Sequence, residues 1–269
     1  MVSVCSRKMR AFALFSWIAV LGQLTPTHAR QEPILAKAAA HEPFHGAILL
    51  PSGGGPLEKW LPVLRQWKHE KGAVGACSND PSQCSTPGAR RFVELVGAAK
   101  ALSGRAQLGE VNRAVNLATS PASDFAMHGL VDVWSSPLAT LASGSGDCED
   151  YAIVKFAVLL EAGVSPENVR LMIVRDTVRY EDHAIVAVRH EDQWLTLDNR
   201  QMLMLADTEL ANYTPLLQLD GSGARRYLDI SARGERKVAI APAMTTKQVD
   251  DDLSGTQAGG CLGCHIAVN

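Results

Sequence analysis

Cys148 follows Gly146-Asp147 and opens residues 147–162, where Tyr151, Val154, Val158 and Leu159 recur on one apolar side before Gly163 ends the run. A cysteine in the first turn of a helix meets unbonded N–H groups and the positive end of the helix dipole. Both favour a thiolate, so Cys148 is a candidate nucleophile. Three carboxylates crowd it: Asp147, Glu149 and Asp150. Acids at a helix start are favourable, and Asp147 to Asp150 could cap the helix. Yet three negative charges around one thiol oppose its ionisation. A bound Ca²⁺, which takes hard oxygen ligands, would resolve that conflict.

A nucleophilic thiol needs a base and a group to orient it. His183 begins a strand pattern over residues 183–189, and Asp198 ends another over 194–198. The polar turn His190-Glu191-Asp192-Gln193 joins them. If the hairpin turns through Glu191-Asp192, position 190 faces 193 and position 185 faces Asp198. His183 is then the same-face diagonal neighbour of Asp198, about 7 Å away by backbone and within side-chain reach. An odd-numbered loop would put the two on opposite faces. Trp194, Thr196 and Asp198 share one side, expected to be polar, while Leu195 and Leu197 point into the core. Cys148, His183 and Asp198 are thus assigned as nucleophile, base and orienting carboxylate.

Other segments must place these three. Residues 30–60 hold Pro33, Pro43, Pro51, Pro56 and Gly53-Gly54-Gly55, and read as an extended, loosely packed arm. Trp60, Leu61, Leu64 and Trp67 suit one face of a short helix over 60–69. Cys77 and Cys84 bracket six polar, turn-forming residues, a loop that a disulfide could close at about 2–3 kcal/mol. A metal site there is the alternative, but no histidine lies in or beside the loop. Helical spacing appears over 90–102, with Val93, Leu95, Val96 and Ala99, and over 108–118, with Val111, Val115 and Leu117. Trp134 precedes Ser135-Ser136-Pro137, a turn into a short helix, and suits either the core or a groove beside Cys148. Residues 169–174 read as a strand, and 213–219 and 226–230 as edge strands. The domain reading is a leader over 1–29, an arm over 30–74, a catalytic domain over 75–230 and a flexible tail over 231–269.

The leader has Arg7, Lys8 and Arg10 before an apolar run from Ala11 to Leu21, then Thr27-His28-Ala29 as a cleavage site. The run is short for a spanning helix, which needs about 20 apolar residues. The expected location is therefore the periplasm or the medium, where disulfides form. Across 269 residues the net charge is −2, and it becomes −5 once the leader's three basic residues are gone. Neither value suggests nucleic-acid binding. A hydrophobic share of 46% with 20% charged residues excludes wholesale disorder, collagen and coiled coil.

The string Gly146-Asp147-Cys148-Glu149-Asp150-Tyr151-Ala152 with Lys155, then Asp182-His183-Ala184-Ile185-Val186 and Leu197-Asp198-Asn199, resembles the bacterial transglutaminase-like cysteine proteinases, including their LapG-like periplasmic branch. Val111-Asn112, Val115-Asn116, Asp132-Val133-Trp134 and the pair Cys77 and Cys84 add to the likeness, which covers about residues 75–230. The resemblance implies a papain/transglutaminase-like α+β fold, with the catalytic cysteine at a helix N-terminus packed against an antiparallel sheet that carries His183 and Asp198. It implies cysteine peptidase activity on a protein substrate. In the adhesin-cleaving branch the acids flanking the cysteine, here Asp147 and Glu149, are similar to calcium ligands. That branch acts on a large surface adhesin and is held in check by an inner-membrane receptor.

Rival readings are a transglutaminase-type acyl transferase using the same triad, a non-catalytic binding module, and a c-type haem protein. The last comes from Cys261-Leu262-Gly263-Cys264-His265, which has the spacing of covalent haem attachment. Only four residues follow His265 and nothing nearby resembles a haem-enclosing helical domain, so a labile C-terminal disulfide, or pairing with another chain, is the favoured reading.

Overall fold

A computed structural model describes residues 42–45, 48–51, 53–228 and 266. The leader over 1–29 and the Cys261-Leu262-Gly263-Cys264-His265 motif lie outside the described residues, as does the tail over 231–269 except Ile266. Among the described residues six α-helices appear in chain order: α1 (Pro56–Asn79), α2 (Pro87–Lys100), α3 (Gly104–Ala118), α4 (Asp124–His128), α5 (Pro137–Ser143) and α6 (Cys148–Glu161). The strands are β1 (Ile48–Pro51), β2 (Ser120–Pro121), β3 (Ser145–Gly146), β4 (Val169–Asp176), β5 (Glu181–His190), β6 (Gln193–Leu197), β7 (Leu205–Ala206), β8 (Tyr213–Asp220) and β9 (Gly223–Tyr227). Among the described residues no helix is long and apolar enough to cross a membrane.

Seven strands form an antiparallel sheet in the order β1-β9-β8-β4-β5-β6-β7. The β5–β6 hairpin has the expected register: His190 faces Gln193 and Val186 faces Leu197. Strand β8 is interior rather than an edge, because it pairs with β4 on one side and β9 on the other.

The helices cover one face of this sheet. Helix α6 is the hub: every residue from Cys148 to Leu159 is buried, charged ones included. A helix apolar on one side only would be expected at a surface, whereas one buried all round lies in the middle of a layer. Its core includes Ile153, Val154 and Leu159 against Leu171, Ala184 and Val186 of the sheet. Helix α1 is longer and better packed than the arm reading expected. Trp60 is buried edge-to-face on Phe156, with ring centroids 5.4 Å apart, and its Nε1 donates to the carbonyl of Asp220 at 2.8 Å. Leu117, expected inside, is exposed at the end of α3. A disulfide joins Cys77 to Cys84, closing the turn between α1 and α2.

The far face of the sheet is not the polar surface expected of Trp194, Thr196 and Asp198. All three are buried. A second apolar cluster lies there, with Met172, Ile185, Ala187, Trp194, Tyr213 and Tyr227. The strand from Ala184 to Val188 is consequently apolar at every position, the pattern of a sheet covered on both faces.

Candidate active site

His183 and Asp198 sit where the hairpin register puts them. The His183 Nε2–H donates to Asp198 Oδ1 at 2.8 Å, with both side chains fully buried. Asp198 also accepts from the Tyr213 hydroxyl at 2.9 Å on Oδ2 and from the Arg200 backbone N–H at 2.9 Å on Oδ1. Burial alone would raise this carboxyl. The attraction of His183, its hydrogen bond and the Arg200 N–H outweigh burial and hold Asp198 well below the usual carboxylate range. Burial lowers the His183 pKa despite the pull of Asp198, so the imidazole is neutral at physiological pH. With Nε2 as donor, Nδ1 is left as the acceptor; it is buried and without a hydrogen-bond partner.

The loop after Asp198 is pegged by α3. Asn116 Nδ2 donates to the carbonyl of Asp198 at 2.9 Å, and Asn112 Nδ2 to those of Gln201 and Met202 at 3.0 and 3.1 Å. These are the asparagines of the two Val-Asn pairs, spaced one helical turn apart so that both face the loop.

Cys148 meets β5 beside the histidine. The Ala184 backbone N–H donates to Cys148 Sγ at 3.3 Å, and Sγ lies 3.2 Å from Glu149 Oε2. Cys148 is 3% exposed, so the geometry brings all three predicted residues into one buried neighbourhood. Cys148 is disulfide-bonded, and its partner lies outside the described residues. A disulfide sulfur carries no proton, so in this state the His183 Nδ1 has nothing to accept from it.

Asp147 occupies the N-cap position of α6, but its side chain makes no capping hydrogen bond. The simple capping role therefore does not account for it. Asp150 turns away to accept the Ser135 N–H at 2.9 Å. Its side chain also fills the space above Gly146, where a Cβ would lie 2.6 Å from Asp150 Cβ; only glycine fits before the Asp147-Cys148 step. The short parallel pair β2–β3 and the bond from the Ala122 N–H to the Gly146 carbonyl at 3.0 Å draw α4 up to this turn. Asp124 arrives with it. Ligand atoms of Asp124, Asp147 and Glu149 all lie within 4.8 Å of one another, and all three residues are buried.

Burial chiefly, with mutual repulsion, pushes these carboxyls up: Asp147 to about 6, Asp150 to about 8, and Glu149 well above its ordinary value. Asp124 is also raised by burial, although the Val133 N–H donates to it. Asp124 Oδ1 and Asp147 Oδ1 are buried without a hydrogen-bond partner. Buried carboxylate oxygens without donors, converging on one point, fit a divalent cation. The cluster could hold one through Asp147 and Glu149 as expected, with Asp124 as a member the sequence did not mark.

Lys155 is the other group missed as a participant. It is buried on α6 with Nζ 5.9 Å from the Tyr151 ring centre, and Nζ has no hydrogen-bond partner. Burial lowers its pKa to about 7, against the pull of Asp198. Trp134 takes the core option: it is buried, with Nε1 donating to Asp132 Oδ1 at 3.0 Å.

Three solved structures of Legionella pneumophila LapG resemble the chain. The calcium-bound form is 22% identical over 57% of this chain and 87% of that one, with a TM-score of 0.49. A second LapG structure is 22% identical over 60% and 91%, and an EGTA-treated form is 23% identical over 57% and 84%, both again at 0.49. No curated protein matches. The family model described as bacterial transglutaminase-like cysteine proteinase, BTLCP, matches residues 68–234, more than half of the chain. The chain therefore belongs to the bacterial transglutaminase-like cysteine proteinases and is a cysteine peptidase of mixed helix and antiparallel-sheet architecture.

Proposed function

We propose that this chain is a periplasmic cysteine endopeptidase that cleaves a cell-surface protein, with Cys148 as nucleophile, His183 as general base and Asp198 as the group that orients it. The observation carrying this reading is the buried His183–Asp198 hydrogen bond of 2.8 Å, which leaves Nδ1 as acceptor beside the strand residue whose N–H touches Cys148 Sγ. Once Cys148 is a thiol, Nδ1 takes its proton and the thiolate attacks the scissile carbonyl. Backbone N–H groups at the start of α6 stabilise the oxyanion. His183 returns the proton to the leaving amine, and the same imidazole then deprotonates the water that hydrolyses the thioester. Asp198 keeps the imidazole in the correct tautomer throughout.

Asp124, Asp147 and Glu149 are the residues that would hold calcium. The ion would supply positive charge where three carboxylates otherwise oppose the thiolate. The periplasmic assignment is supported by the basic-then-apolar leader and by the Cys77–Cys84 disulfide. A large surface adhesin as substrate, and an inner-membrane receptor as regulator, are supported by the sequence resemblance.

The test is comparative proteomics of cell surface and medium from cells carrying wild type or Cys148→Ala. The expected result is a surface protein released, with a new terminus, only by wild type. Identical profiles from the two strains contradict the reading. Incorporation of an added primary amine at the cut site, in place of water, would redirect it to acyl transfer.

A further inference from the structure

Two neighbouring rungs of the β4–β5 hairpin carry charge, and they are neutralised in different ways. At one, Arg175 faces Asp182 and the two side chains bond to each other. Opposite charges across a strand pair stabilise it, and like charges oppose it. At the next rung Asp176 faces Glu181, two acids directly opposite one another. Their countercharge comes from outside the hairpin. Arg200, in the turn after β6, donates from Nη1 to Asp176 Oδ2 at 3.1 Å and from Nη2 to Glu181 Oε1. Asp176 is itself fixed, because Oδ1 accepts from the Val178 and Arg179 N–H groups at 3.0 and 3.2 Å and from Asn212 Nδ2 at 3.1 Å. Each anchor of the guanidinium stands next to the His183–Asp198 pair. The Arg200 backbone N–H donates to Asp198 Oδ1 at 2.9 Å. Glu181 lies two residues before His183, on the same side of β5. Asn212 precedes Tyr213, whose hydroxyl donates to Asp198 Oδ2 at 2.9 Å. The ladder between β5 and β6 ends at Val186–Leu197, short of both His183 and Asp198. Side-chain bonds must therefore hold the two together. The charges reach the imidazole as well: burial chiefly lowers the His183 pKa, Asp198 raises it, Arg200 lowers it and Glu181 raises it.

We propose that the Arg200 side chain is a positioning residue of the peptidase: its two-armed bond to Asp176 and Glu181 locks the His183 strand to the Asp198 loop, and so sets the His183–Asp198 hydrogen bond. This rests on the reading of His183 as base and Asp198 as its orienting carboxylate. Arg200 touches no reacting atom and acts through those two residues. A hairpin that needed only neutral rungs could repeat the pattern of Arg175 and Asp182, with both partners inside it. Drawing the cation from the turn after β6 joins three segments through one planar group: the start of β5, the end of β4 and the loop that carries Asp198. Asn212 extends the tie to the start of β8 and to Tyr213. The guanidinium suits this task because its rigid, planar donors hold two carboxylates at fixed directions, which a single ammonium does not. Its side chain is 12% exposed, so water competes little for these bonds.

The test compares the full chain, reduced, as wild type, as Arg200→Met, and as Arg200→Met combined with Glu181→Gln. The second change removes the acid that would otherwise face Asp176 without a countercharge, so the double variant separates positioning from hairpin stability. Two readouts are taken. One is the low-field proton NMR resonance of the His183 Nε2–H, identified by its absence from His183→Ala. The other is the rate of Cys148 alkylation by iodoacetamide at pH 7, followed by peptide mapping. The resonance is expected to broaden or vanish in both Arg200 variants, and alkylation to slow by about 10–100-fold, the size of effect that a small misplacement produces. The double variant is expected to melt within a few degrees of wild type. A double variant that regains the wild-type resonance and rate would show that Arg200 serves only the charge of the hairpin, and overturns the proposal. So does an unchanged resonance in Arg200→Met. Alkylation that is indifferent to His183→Ala would defeat the peptidase reading, yet loss of the resonance in both Arg200 variants would leave the positioning role standing.

Discussion

Two groups of buried carboxylates flank Cys148, and they titrate in opposite directions. Asp198 is as deeply buried as Glu149 and Asp150, yet it is held below the usual range while they are pushed above it. Burial opposes charge in both places; the attraction of His183 and the donors around Asp198 make the difference. Asp198 receives three hydrogen bonds, from His183, Tyr213 and Arg200. The acids around the start of α6 face one another, and Asp124 Oδ1 and Asp147 Oδ1 lack any partner. One half of the site is electrostatically complete within the protein. The other half presents the converging carboxyl oxygens of a candidate cation site.

Removing the charge from the complete half should have the largest effect. Asp198→Asn keeps the shape but lets the imidazole adopt the wrong tautomer, and a loss of about 10³–10⁴-fold in kcat is expected with little change in KM. A loss under tenfold would mean that the Asp198 charge does not set the tautomer of the ring.

The incomplete half should reveal itself in how calcium stabilises the fold at different pH. A carboxyl whose folded pKa is raised contributes stability that is full below its unfolded value and is lost as pH rises through the folded value. In the metal-free protein that loss is expected from about pH 4 upward, through about 6 for Asp147 and about 8 for Asp150. Asp198, being depressed, behaves the other way: its contribution is present above its unfolded value and is lost only in acid. Calcium at a hundred times its Kd should add about 2.7 kcal/mol at pH 8. At pH 5 protonated ligands should leave it a much smaller shift. Thermal melts with calcium or chelator at both pH values check this, and an equal shift at both contradicts the assignment. Asp124→Asn should weaken calcium binding without altering the melt in chelator downward, since it removes a buried charge.

The smallest effect is expected from Tyr213→Phe. It deletes one of the three donors to Asp198 while leaving the ring, whose centroid lies 5.8 Å from that of His183. A cost of about 1–2 kcal/mol in stability, and a loss of up to tenfold in kcat, would fit a supporting hydrogen bond to a charged group.

The His183–Asp198 pairing was readable because it depends on local rules. A polar four-residue turn fixed the β5–β6 register, and period-2 alternation then brought His183 alongside Asp198. The long helix carrying Cys148 announced itself through its apolar residues and Gly163. What the sequence did not reveal depends on tertiary cover. Trp194 and Thr196 look like a solvated face until a second cluster, built partly from Tyr213 and Tyr227, is seen to bury them. Asp124 lies far upstream on a five-residue helix, and only the β2–β3 pairing brings it to Asp147. Strand β8 reads as an edge because its neighbours in the sheet are distant in sequence on one side. The Trp60 helix looked short because lysines, glutamate and glycines interrupt its apolar face after Trp67, though Val74 and Cys77 continue it.

The central claim is that His183 activates Cys148. It is tested most directly by the rate at which a thiol-reactive peptide analogue modifies Cys148 in reduced, calcium-loaded protein, compared between wild type and His183→Ala at pH 7. The account predicts that the variant reacts at least a hundredfold more slowly while keeping the wild-type melting temperature to within a few degrees. Equal rates in two folded proteins would contradict it.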